Sequence, residues 1–159
     1  RLAQGGHRHQ PRRQDLDRVS AQIRACGRAA ASAAGCRVSI RAYEPPLDDI
    51  VHNPVLAAVV ERQLRGMGIR DIAQNDPVPG SADIGNVSHR IPTAYFYCQV
   101  APRGMDLHTK EFARQAVSDQ AHRGLLQAVQ ALALSGLELL RRPGLVGQAR
   151  RALQRSPSR

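Results

Sequence analysis

The chain has 159 residues, enough for one domain of ordinary size, and its scarcity of aromatic residues means that a core must be built from Ala, Leu, Val and Ile. The net charge is +10, but Lys110 is the only Lys, the Arg residues gather towards both ends, and no aromatic side chains are interleaved with them for stacking, which argues against a nucleic-acid role. The longest apolar run, 124–140, holds Gln127, Gln130 and Glu138, which excludes a bilayer span; with no signal-peptide pattern at the start, a soluble, cytoplasmic protein is expected.

Residues 1–14 carry Gly, Arg, Gln and His without period and are expected to form a disordered stub. Asp15 can cap a helix to about Ala34, with Leu16, Val19, Ile23, Cys26, Ala30 and Ala33 along one stripe and Gly35 as its stop. Residues 37–43 alternate, with Val38 and Ile40 on one face, which predicts a strand. Pro45-Pro46 breaks the pattern. Asn53-Pro54 then reads as an N-cap followed by the first residue of a helix reaching about Leu64 and ending at Gly66 or Gly68.

Residues 69–73 suggest a short strand, and 91–100 a strand apolar enough to be central in a sheet. From about Thr109 to Leu140 the pattern is one long helix, weakened at Gly124 and Gly136. Pro143 begins a short basic helix, and 155–159 form a frayed tail. This order of elements predicts an α/β chain. Three Cys without C-x-x-C spacing read as free thiols in a reducing compartment, Cys26 and Cys98 among them buried.

Two motifs carry the chemistry. Gly80-Ser81-Ala82-Asp83-Ile84-Gly85-Asn86-Val87-Ser88 is a Gly-rich turn with a carboxylate in it. Gly80 would let the backbone approach a ligand, and amides at Ser81 and Ala82 could receive a carboxylate or carbonyl oxygen. Asp83 and Asn86 brace the turn rather than touch a metal. His108 precedes a helix, and a neutral imidazole at a sheet edge is a standard zinc ligand. Glu111, one turn on, suits the positive end of the helix and could orient the imidazole. His52, His89 and His122 have no metal-ligand spacing, and Ser81 and Ser88 lack the setting of a nucleophile elbow.

The turn, Pro92 and His108-Thr109-x-Glu111-Phe112 together resemble the C-terminal part of the di-zinc aminoacylase and dipeptidase family, peptidase family M number twenty. The branch it resembles includes β-alanyl-lysine and Xaa-Arg dipeptidases and aminobenzoyl-glutamate hydrolases. The resemblance covers roughly residues 15–154. It implies a partial zinc-peptidase catalytic sheet domain at 48–154, preceded by the end of a small α/β lid domain at 15–47 through which the family often forms homodimers. It further implies two zinc ions, a dipeptide or N-acyl amino acid substrate, a metal ligand at His108, and substrate contacts at Gly80, Ser81, Asp83 and Asn86.

Where this chain departs from the family is equally specific. The His-x-Asp ligands, the paired carboxylates and the lid His are not in the sequence. Ser81-Ala82-Asp83 stands where the family has Ser-Thr-Asp, and Arg114 and Gln115 replace small residues after Phe112. The expectation is a C-terminal fragment of a metal-dependent amidohydrolase, inactive alone and not holding zinc tightly. The alternatives are a non-enzymatic truncated remnant or an Arg-rich binding module.

Overall fold

The computed structural model describes residues 13–72 and 82–156. Residues 1–12 of the expected N-terminal stub, Gly80 and Ser81 lie outside them, and residues 13 and 14 begin the first helix. Every regular element among the described residues is a helix, and none is a strand. The α/β expectation, with its sheet, is therefore corrected.

Helix α1 spans Arg13–Ala33 and ends in a left-handed Gly35 at φ +66°. The Gly35 and Cys36 amides bond back to the carbonyls of Ser32 and Ala31, which closes the helix end. The apolar stripe forms as read, but Leu16, Val19 and Ile23 remain 45–66% exposed. Cys26 and Cys36 are exposed too, and only Cys98 is half-buried, which corrects the reading of Cys26 as buried.

Helix α2 covers Pro54–Gly66. Asn53 Oδ1 accepts from the Leu56 amide, and Pro54 takes the first helical position as expected. Val59, Val60 and Leu64 are its buried face. Helix α3, Ile84–Ser88, is a single turn with no counterpart in the sequence reading.

The long helix expected from Thr109 is two helices, α4 at Lys110–Gln115 and α5 at Asp119–Arg141. Ser118 separates them. Its backbone is extended and its Oγ accepts from the Ala121 amide, so it caps a new helix where a continuous one would bury that donor in the ladder. Helix α6, Pro143–Gln154, follows after one residue, with Pro143 in its first turn.

Helices α2, α5 and α6 pack on one another. The core joins Val60, Leu64 and Ala131, with Met67, Ile69, Ala94 and Phe96 against it. Small residues on α5 permit the approach: Ala121, Gly124, Ala131 and Ser135 are its buried positions. A Cβ on Gly124 would sit 2.7 Å from the Gln99 carbonyl oxygen, so the 94–100 segment runs close across α5 at that point.

Polar ties hold the three helices in register. Asn53 Nδ2 donates to the Ala149 carbonyl at 2.8 Å, from a residue only 2% exposed. The Glu138 carboxylate accepts from Arg62, Gln63 and Arg142.

Among the described residues, the segments read as strands at 37–43, 69–73 and 91–100 form no ladder. Between 47–53 and 91–100 there is one backbone bond, from the Asn53 amide to the Thr93 carbonyl. The Asp48 and Val51 amides are taken by side chains. A strand needs consecutive backbone pairs, and these are not made.

Candidate functional site

The described part of the Gly-rich motif acts as a clamp on residues 46–51. Asn86 Oδ1 accepts from the Asp48 amide at 2.9 Å, and its Nδ2 donates to the Pro46 carbonyl at 3.1 Å. Ser88 is fully buried; its Oγ accepts from the Val51 amide at 2.9 Å and donates to the Gly85 carbonyl at 2.6 Å. His89 Nε2 lies 2.9 Å from the Asp49 carbonyl and 3.6 Å from the Asp49 carboxylate. A carbonyl only accepts, so that nitrogen carries the proton.

Gly85 makes the clamp possible. A Cβ there would fall 1.9 Å from the Asp48 carbonyl oxygen, well inside contact distance. The motif's second glycine is thus demanded by backbone contact. Its φ is not positive, so conformational freedom is not the reason.

Asp83 opens α3 but makes no capping bond with its side chain, and it is exposed. Of the four substrate-contact candidates, Asn86 is engaged with the 46–48 backbone, Asp83 faces solvent, and Gly80 and Ser81 are outside the described residues.

His108 is exposed and has φ +61°, the one left-handed residue besides glycine among those described. Asn, Asp and His are the side chains that enter this region most readily. The bend sets His108 just ahead of α4. Thr109 then caps that helix: its Oγ1 accepts from the Phe112 amide and donates to the Asp106 carbonyl. Glu111 lies in the first turn of α4 as expected, where its partner is Arg114 at 3.6 Å, both exposed. Among the described residues no hydrogen bond or ion pair joins the clamp to His108 or Glu111.

Among the described residues no three His, Cys, Asp or Glu side chains gather closely enough to hold a metal ion. No helix among the described residues is long and apolar enough to cross a membrane.

Sequence reasoning missed the tether at Asn53, the clamp at Ser88 and His89, and the contact over Gly124. One signal was available for the clamp. Asn86, Ser88 and His89 crowd short polar groups into one turn after a glycine, a pattern suited to satisfying the backbone of a neighbouring segment.

No family model matches the chain. The chain is 28% identical to the Xaa-Arg dipeptidase of Mus musculus over 145 residues, and 29% identical to that of Homo sapiens over 140 residues. The alignments cover 89% and 86% of this chain but 33% and 32% of those proteins. This chain is thus distantly similar to Xaa-Arg dipeptidases and spans about a third of the length of the curated relatives it matches.

Proposed function

We propose that this chain is the C-terminal part of a zinc-dependent amidohydrolase that cleaves the amide bond of a dipeptide or N-acyl amino acid. The observation that carries the reading is similarity to two Xaa-Arg dipeptidases along nearly nine-tenths of the chain. His108 supplies one metal ligand, and the other ligands and the general base belong to the two-thirds of such an enzyme that this chain does not span. The exposure of His108, set by a left-handed bend just ahead of α4, supports that role, because it leaves the side chain open to a ligand. Asp83, exposed at the head of α3, is the carboxylate available to a substrate's polar groups. In isolation the chain does not hydrolyse dipeptides, since one imidazole does not hold a catalytic zinc.

The test is a chimera of the mouse Xaa-Arg dipeptidase in which this chain replaces the matched segment. Dipeptides ending in Arg are the substrates, with zinc content measured in parallel. His108→Ala should lower kcat/KM on the order of a hundredfold or more and remove bound zinc, by analogy with deleting an electrostatic stabiliser. Full zinc occupancy without His108, or hydrolysis by the isolated chain that a chelator abolishes, would refute the assignment.

A further inference from the structure

Helices α2 and α6 leave an open groove between them. Asn53, at the head of α2, bonds to Ala149 in the middle of α6, while Arg62 further along α2 reaches the Glu138 carboxylate beside Arg142, so the two helices run antiparallel. Val55, Ala58, Val59 and Arg62 follow one another at helical spacing along the α2 wall, and Leu145 and Gln148 line the α6 wall. The groove holds about 360 Å3, at the lower end of the range for small-molecule sites. Its walls are aliphatic apart from Arg62 and Gln148.

The charge at one end says what would fill it. Glu138 accepts from Arg62 Nε and Nη2, from Gln63 Nε2 and from Arg142 Nη1. Two guanidiniums thus share one carboxylate, and the cluster keeps one positive charge in excess. Arg62 Nη1 has no partner among the described residues, which leaves its N–H donors open at the groove end. No acid on α6 competes for them, and Glu61 on α2 is held by Arg65. A guanidinium with open donors takes a carboxylate through charge-assisted bonds. A peptide fits the rest of the groove poorly, because aliphatic walls offer its backbone amides nothing but Gln148. At 1.5 Å per residue the α2 wall from Val55 to Arg62 is about 10 Å long, the reach of a medium alkyl chain.

We propose that the α2–α6 groove binds a small apolar monocarboxylate, with its hydrocarbon body between Val55, Val59 and Leu145 and its carboxylate on Arg62. The inference does not depend on the functional reading above. It stands on two independent features that meet at one place, an aliphatic groove and a guanidinium in excess of its counter-charge.

Octanoate is the probe, with octanamide and acetate as the neutral and the tailless controls. Each is titrated into the whole chain by calorimetry and by amide NMR. Octanoate should saturate one site, shift the amides of Val55, Ala58 and Leu145, and bind about tenfold more tightly than either control, the worth of a charge-assisted bond. Added salt should weaken octanoate and leave octanamide unchanged. Ala58→Leu fills the groove without touching Glu138 and should weaken octanoate by about tenfold or more. Arg62→Gln should bring octanoate down to the affinity of octanamide; if that variant loses its helical circular dichroism, Ala58→Leu decides alone. Leu132→Gln, on the exposed side of α5, should bind octanoate as the parent does. Binding that never saturates, equal affinity for octanamide, or full affinity in Ala58→Leu would overturn the proposal. So would loss of binding in Leu132→Gln, which would place the probe on α5 instead.

Discussion

Gly85→Ala tests the clamp directly. The new Cβ would lie 1.9 Å from the Asp48 carbonyl oxygen and 2.8 Å from its carbon. A carbon–oxygen contact settles near 3.4 Å, so the 46–51 segment and α3 must part by roughly 1.5 Å. Bonds of 2.9 Å from the Asp48 and Val51 amides to Asn86 and Ser88 would then stretch past about 4 Å and cease to be bonds. The contacts of Asn86 with Pro46 and of His89 with Asp49 are carried on the same turn and would weaken with them. At about 1 kcal/mol net for each bond lost, the variant should be less stable by about 2–4 kcal/mol. With a urea slope of about 2 kcal/mol/M for a chain of this size, the unfolding midpoint should fall by about 1–2 M. Hydrogen exchange should show the Asp48 and Val51 amides losing protection before the α5 amides do. A midpoint within about 0.3 M of the parent, with both amides still protected, would refute the reasoning.

Three further outcomes are expected. Gly124→Ala should destabilise by roughly 1–3 kcal/mol, because its Cβ meets the Gln99 carbonyl at 2.7 Å, whereas Gly136→Ala on the same helix meets nothing within 4 Å and should stabilise by about 0.5–1 kcal/mol; urea midpoints moving in the same direction would contradict this. Asn53→Ala should cost about 2–3 kcal/mol, since it removes the cap of α2 and leaves the Ala149 carbonyl without its donor; a loss under 0.5 kcal/mol in the same denaturation assay would count against the tether. Tyr97 should titrate near 12, pushed up by partial burial and then by the neighbouring Tyr95 phenol, whose ring is 5.0 Å away; its neutral form is the one the fold favours, so its contribution is complete below pH 10 and is lost as pH rises from 10 towards 12. Absorbance titration of Tyr97→Phe against the parent reads this, and removal of a transition near pH 10 instead would refute it.

The helices were legible where a local signal defines them. Asn53-Pro54 and Pro143 mark helix starts through chemistry confined to two or three residues, and α2 and α6 begin there. The break before α5 was harder, because Ser118 is an ordinary helix residue by propensity and only its extended backbone makes it a cap. The strands were misread for a different reason. Alternation in 37–43 and apolar character in 91–100 describe how a segment could be buried, but pairing depends on a partner; the neighbour of 91–100, residues 47–53, gives it one backbone bond, while the Asp48 and Val51 amides go to the side chains of Asn86 and Ser88. Gly124 was read as a weakness of its helix, whereas contact with Gln99, 25 residues earlier, makes it a requirement of packing. Of the candidate site, Glu111 in a first helical turn was readable, while the left-handed bend at His108 has for a signature only the general tendency of His to enter that region.

The tether between Asn53 and Ala149 bridges 96 residues of chain, and the link between α2 and Glu138 bridges 75. Closing a loop of about a hundred residues costs on the order of 4 kcal/mol in chain entropy, several times what one hydrogen bond returns. Helices α5 and α6, joined through Arg142 alone, face almost no such cost. Assembly therefore has an order: the C-terminal hairpin forms from local contacts, and α2 docks onto it late, when core burial can offset the closure. Asn53→Ala should accordingly speed unfolding and leave the folding rate nearly unchanged, the kinetic mark of a contact made after the barrier is crossed.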